Sequence, residues 1–147
     1  MTEFIYLHGF ASGPNSNKAR VFKERFEELS IPIHVPDLQQ NDFENLTLSL
    51  RIELVQAILD REEHKNFGLV GSSMGGYLAS IIAQTRESVK ALYLMAPGFN
   101  FLKRWRKKLD LSKTAASLIP VFHYRYNKEV LLNTHLFQDA EKWESLS

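Results

Sequence analysis

The first 98 residues alternate between short, continuous apolar runs and longer stretches of helical period, and this alternation limits the chain to few architectures. Phe4-Ile5-Tyr6-Leu7 reads as a buried strand that ends at His8-Gly9. Ser16 can cap a helix running to about Leu29, with Phe22, Phe26 and Leu29 on one face. Ile31 to Val35 reads as a second strand, closed by Pro36-Asp37. Thr47 to Asp60 has helical period, with Leu50, Leu54 and Ile58 at four-residue steps and Val55 and Leu59 beside them. Phe67 to Val70 is a third strand that Gly71 ends. Met74 to Arg86 is a helix, and Val89 to Met95 a fourth strand. Apolar residues at consecutive strand positions imply burial on both faces, as in parallel sheets. The order β-α-β-α-β-α-β therefore predicts an α/β fold, with helices packed on both sides of a mostly parallel sheet.

The chain's 147 residues suit a single domain. We divide it into a β-α core over residues 1–98 and a lid-like helical segment over 99–147, since no strong strand run follows Gly98. Leu118 to His123 could form a short strand, but Pro120 argues against it. No cysteine is present, which excludes a disulfide scaffold, a thiolate metal site and a cysteine nucleophile. The N-terminus lacks the basic start and long apolar stretch of a signal peptide, and nothing approaches a membrane span. A cytoplasmic protein without a membrane partner is the expectation.

The net charge of +1 conceals a split between the two halves. Residues 1–74 carry 7 basic and 11 acidic side chains, against 11 and 6 over residues 75–147. Much of the basic excess lies in Lys103-Arg104-Trp105-Arg106-Lys107-Lys108. Such a run can bind nucleic acid. Without a nucleic-acid fold motif it reads better as a solvated helix face with Trp105 tucked beneath, so no nucleic-acid partner is expected.

Gly71-Ser72-Ser73-Met74-Gly75 fits G-x-S-x-G and lies between a predicted strand and a predicted helix, the context of a nucleophile elbow. A sharp strand-to-helix turn forces the middle residue into a strained backbone conformation. Glycines at the flanks remove side chains that would collide. The Ser73 hydroxyl would then stand at the carboxyl end of the sheet, with the Met74 N–H aimed where an oxyanion forms. A phosphate loop is the competing reading, but neither G-x-x-x-x-G-K-[ST] nor a G-x-G-x-x-G after the first strand occurs. His8-Gly9-Phe10 follows the first strand, where this architecture places its second oxyanion donor, and we assign that donor to the Phe10 N–H. His8 could serve as a general base but reads better as a brace for the loop. No metal or cofactor is implied.

YLHGFASGPNSNKA, the VPDL after the second strand, and LVGSSMGGYLA together resemble the UPF0227/YqiA-like family of small esterases in the α/β-hydrolase superfamily. The resemblance covers residues 3–98 and continues more loosely beyond them. It implies an α/β-hydrolase fold, a three-layer α-β-α sandwich, and a serine-esterase mechanism acting on a small-molecule ester. Ser73 would be the nucleophile and Phe10 and Met74 the oxyanion hole, with Gly71, Gly75, His8 and Gly9 as support.

Family members look longer at the C-terminus, where they carry a triad acid after a late strand and a terminal histidine. Here Asp110 and Asp139 are the aspartates after Ser73, and His123 and His135 the histidines. None has the expected strand-loop context, so no convincing triad Asp or His is found and the C-terminal strands are expected to be missing. Full activity would need both groups. The alternative is a non-catalytic α/β-hydrolase-fold protein for binding or assembly, self-associating through an exposed sheet edge.

Overall fold

A computed structural model describes residues 2–62, 65–109 and 117–146. Four parallel strands form the main sheet: β1 (Thr2–Leu7), β2 (Ile33–His34), β3 (Asn66–Ser72) and β4 (Val89–Met95), in the order β2-β1-β3-β4. Between them run α1 (Asn17–Glu28), α2 (Leu48–Asp60) and α3 (Met74–Thr85). The register pairs Tyr6 with Val70 and Leu7 with Gly71, so β1 and β3 end side by side.

Period-two alternation sends the strand side chains to opposite layers. Ile5, Leu7, Phe67 and Leu69 pack with residues of α2 and α3. Tyr6 and Val70 pack on the other face with Ala19 and Phe22 of α1. Phe4 lies edge-on to Phe26 at 5.0 Å, and its ring occupies the space a side chain at Gly68 would need. The result is the α-β-α sandwich that the alternation predicts.

Capping fixes where two helices begin. Ser16 Oγ accepts the Ala19 N–H, and Thr47 Oγ1 accepts the Leu50 N–H. The buried stripe of α2 differs from the predicted one. It runs through Leu48, Arg51, Ile52, Val55 and Leu59, while Leu50 is 55% exposed and Leu54 and Ile58 are only partly buried. The stripes at 50/54/58 and 51/55/59 are one residue apart in a run of apolar residues, so periodicity could not choose between them. The predicted second strand shrinks to two paired residues, though the Pro32 carbonyl still accepts the Phe4 N–H.

The helical expectation for residues 99–147 is corrected. α4 (Phe101–Leu109) is followed by an antiparallel hairpin of β5 (Leu118–His123) and β6 (Lys128–Asn133), then by α5 (His135–Ala140) and a 3-10 turn over Glu141–Leu146. Pro120 is tolerated because the two-stranded ribbon has open edges. β5 shows strict alternation, with Ile119, Val121 and His123 buried and the residues between them exposed. Phe101, Leu102, Val121, Leu132 and Phe137 join the same core as the β1–β3 residues, so the segment is built into the domain. On α4, Lys103, Arg104, Lys107 and Lys108 are exposed, while Trp105 packs inward. Arg106 pairs with Glu141 and Glu144. Among the described residues no helix is long and apolar enough to cross a membrane.

Candidate active site

The carboxyl ends of β1 and β3 bring the two sequence motifs together. Ser73 sits between β3 and α3 with φ 54° and ψ −117°, a conformation that costs a non-glycine residue on the order of 1–3 kcal/mol. Its surroundings over-determine it. The Ser73 N–H donates to the Met95 carbonyl at 2.9 Å, and its carbonyl accepts from Gly98 at 2.8 Å and Gly76 at 3.0 Å. Ser73 is exposed, whereas Ser72 and Met74 on either side are buried.

The flanking glycines are required for space. A Cβ at Gly71 would lie 2.5 Å from the Gly75 carbonyl oxygen and 2.6 Å from the Gly76 nitrogen. At Gly75 it would overlap the Leu7 carbonyl oxygen and stand 2.8 Å from that of His8. The turn can therefore close against the end of β1 only with glycine at both positions. Gly9 is less tightly constrained, since a Cβ there would make an ordinary contact with Ser73 Cβ at 3.5 Å.

Neither the Phe10 nor the Met74 amide N–H donates a hydrogen bond among the described residues. Met74 opens α3, so its N–H has no intrahelical acceptor. The Phe10 ring is fixed between Phe43 at 5.2 Å and Trp105 at 5.3 Å, which leaves the residue's backbone to face the loop. Ala11, with φ 56°, and Ala96, with φ 44°, are also strained beside Ser73's two neighbouring strands.

His8 is 1% exposed and uses both ring nitrogens. Its Nε2 accepts the Leu38 N–H at 2.9 Å, which assigns the proton to Nδ1, and Nδ1–H faces the Gly9 carbonyl at 2.9 Å. Burial pushes its pKa down to about 4, the Gly9 carbonyl opposing this effect. The imidazole is neutral and has no lone pair left to take a proton from Ser73. It ties the loop after β1 to the loop after β2.

The remaining sequence candidates fall elsewhere. His123 is buried, its Nε2–H donating to Gln39 Oε1 at 2.8 Å and its ring stacked on Tyr126 at 4.1 Å. His135 is exposed. Asp139 caps the start of α2, accepting the Ser49 N–H at 2.9 Å and the Ser49 hydroxyl at 2.5 Å. Asp110 lies outside the described residues. Among the described residues no side chain is hydrogen-bonded to the Ser73 hydroxyl.

A cavity of about 300 Å³ opens beside Ser73, lined by Gly9, Phe10, Ser12, Lys18 and Ser72 among others. Tyr6 forms part of its wall, and burial raises its phenol pKa although the Ser72 and Ser16 side chains oppose this. Lys18 Nζ donates to Ser72 Oγ at 3.5 Å. Sequence reasoning missed Lys18, because a lone lysine on an amphipathic helix carries no signal of its own.

Comparison with known proteins agrees with this architecture. The family described as "Uncharacterised protein family (UPF0227)" matches residues 3–142, so the chain belongs to it. A relative named "Putative esterase/lipase 2" from Mycoplasma pneumoniae is 38% identical over 100 residues, which is 64% of this chain and 37% of the relative. The chain thus spans little more than a third of that protein's length. Among solved structures, Est1E from Butyrivibrio proteoclasticus with ferulic acid bound superposes with a TM-score of 0.81 at 18% identity, over 97% of this chain and 61% of that one. The mouse alpha/beta hydrolase domain-containing protein 10 gives 0.69 at 22% identity, over 95% and 60%. At these identities the two structures speak for the fold alone, and the fold is that of the α/β hydrolases.

Proposed function

We propose that this member of the UPF0227 family is a serine hydrolase acting on carboxylic esters, with Ser73 as its nucleophile. The observation that carries the reading is the exposed Ser73 on a strained, glycine-flanked turn, beside two backbone amides with no acceptor among the described residues. Ser73 Oγ bonds to the ester carbonyl carbon while its proton passes through a general base to the departing alcohol. The Phe10 and Met74 N–H groups stabilise the negative charge on the carbonyl oxygen. Water then attacks the acyl-serine, releasing the acid and returning the proton to Ser73. The base and the acid that orients it are assigned to groups other than His8, whose nitrogens are both engaged, and His123, which is buried against Gln39 and Tyr126 and makes no hydrogen bond to Ser73. An oxyanion hole and binding alone leave a residual rate on the order of 10³–10⁴ over water in triad-deleted proteases.

A fluorophosphonate probe tests this directly on the protein expressed from its whole reading frame. It should label Ser73, and the Ser73→Ala variant should stay unlabelled. Equal labelling of both would sink the proposal.

A second reading, a non-catalytic binding or assembly protein, is favoured by one observation. Among the described residues β4 pairs on one side only, and Leu92 and Tyr93 are 43% and 58% exposed. It predicts self-association through that edge. A monomeric mass by light scattering together with a labelled Ser73 would dismiss it.

A further inference from the structure

The cavity at Ser73 does not end there. A second cavity of about 390 Å³ shares Ser12, Ser16 and Asn17 with it and continues to Tyr124 and Arg125 in the turn between β5 and β6. The two form one trough leading away from the nucleophile. Among the described residues its charged lining is Lys18 at the Ser73 end and Arg125 at the far end, with no carboxylate in either cavity. Arg125 is already engaged, donating to Asp37 at 2.9 Å. Lys18 has no carboxylate within ion-pair distance among the described residues, and its hydrogen bond is the long one to Ser72. Its ammonium stands next to the residue that precedes the nucleophile.

Tyr6, Phe10 and Tyr124 add aromatic wall at the two ends, and the stretch between them decides what kind of group belongs there. Ser12, Asn15, Ser16 and Asn17 present hydroxyls and amides. A hydrocarbon tail laid over them would strip them of water without replacing its hydrogen bonds, which is unfavourable. An anion accepts hydrogen bonds from all of these groups and is attracted to an unpaired ammonium. Both cavities lie within the size range of small-molecule sites.

We propose that this trough binds an anionic group of the ester, a carboxylate or a phosphate, against Lys18, so that the preferred substrates carry negative charge near the scissile bond. The assignment rests on the reading of Ser73 as the nucleophile. Lys18, itself exposed, acts as a specificity determinant, and an ammonium–anion pair at such a solvated site changes binding by up to about fivefold. The preference weakens as salt screens it.

Three probes separate the possibilities: the butyryl esters of ethylene glycol, of glycolate and of ethylene glycol phosphate. The first is neutral, and the other two distinguish a carboxylate from a phosphate. For each anionic ester, kcat/KM relative to the neutral ester is measured in the protein, in Lys18→Gln and in Lys18→Glu. Comparing variants cancels the intrinsic reactivity of the three esters. The ratio should fall about twofold to fivefold in Lys18→Gln and further in Lys18→Glu, and it should shrink with added salt. Calorimetric titration of Ser73→Ala with the same esters should show tighter binding of an anionic one, independently of turnover. A ratio unmoved by either substitution, with all three esters hydrolysed, overturns the inference and leaves the hydrolase reading intact. No turnover of any ester overturns that reading, and the substrate assignment with it.

Discussion

Arg51 faces inward from α2 at 1% exposure, and neither its Nε nor its Nη2 has a hydrogen-bond partner among the described residues. Burial pushes the guanidinium pKa down to about 10, with only the Asp37 charge working the other way. At about 1.4 kcal/mol per pH unit, this depression from the ordinary arginine value corresponds to roughly 3 kcal/mol acting against the charged side chain. Asp37 returns little of it, because its carboxylate is already held by Arg125 at 2.9 Å. Arg51→Met keeps an unbranched stem in the same slot, removes the charge and matches arginine in helix propensity. Replacing a poorly compensated buried charge with an apolar residue of similar length is often neutral or stabilising by about 1–4 kcal/mol.

We therefore expect Arg51→Met to gain about 1–3 kcal/mol. With an unfolding entropy of about 2 cal/mol/K per residue, that raises Tm by about 3–10 °C for a chain of this length. Urea unfolding followed by circular dichroism should show a higher midpoint with an unchanged slope. Arg51→Ala, which also discards the stem and opens a cavity, should fall about 2 kcal/mol or more below the methionine variant. A methionine variant less stable than the parent by about 1 kcal/mol would refute the reasoning, because Arg51 would then have an acceptor worth more than its desolvation costs.

His8 predicts the pH profile. Its folded-state pKa is depressed to about 4, so the unfolded chain binds more protons between there and about 6.5. Stability should rise with pH across that window by up to roughly 3 kcal/mol, and the rise should flatten in His8→Gln; an unchanged slope in that variant would refute the assignment. Gly75→Ala should cost about 3 kcal/mol or more, or prevent folding, because its methyl group meets the Leu7 and His8 backbone and not a movable side chain. Ser73→Gly should gain about 1 kcal/mol by relieving φ 54° while abolishing phosphonate labelling; a clear loss of thermal stability would mean the serine backbone is unstrained.

What the sequence made legible follows from which interactions are local. Apolar runs and caps are local, so α1 begins where Ser16 predicts and β4 spans the same residues as its apolar run. The strained, glycine-flanked turn at Ser73 was legible because three steric demands fall within five residues. The β5–β6 hairpin was not. Pro120 argued against β5, and the spacing that places Ile119, Val121 and His123 inward can be read only once the core they meet is known. Lys18 and Arg125 were equally hidden, since Lys18 meets Ser72, and Arg125 meets Gly13 and Asp37, across elements distant in sequence.

The hairpin also bears on how the proposed oxyanion hole keeps its shape. The Ala11 carbonyl, next to Phe10 and held at a strained φ, accepts the Tyr124 N–H at 3.1 Å and the Arg125 N–H at 3.4 Å. Arg125 lies over Gly13, where a Cβ would stand 2.9 Å from its Cδ, and the same side chain reaches Asp37. Gln39 Nε2 donates to the Tyr126 hydroxyl at 2.8 Å, while His8 accepts from Leu38 beside it. The turn between β5 and β6 is thereby fastened to the loop after β1 that carries Phe10 and to the loop after β2. A backbone donor is useful to catalysis only if it does not need to reorganise as charge develops. A loop of small and polar residues such as 8–16 has little core of its own with which to resist doing so. The hairpin supplies that resistance from outside the loop, which ties the segment after Gly98 to the proposed site although none of its described side chains is hydrogen-bonded to the Ser73 hydroxyl.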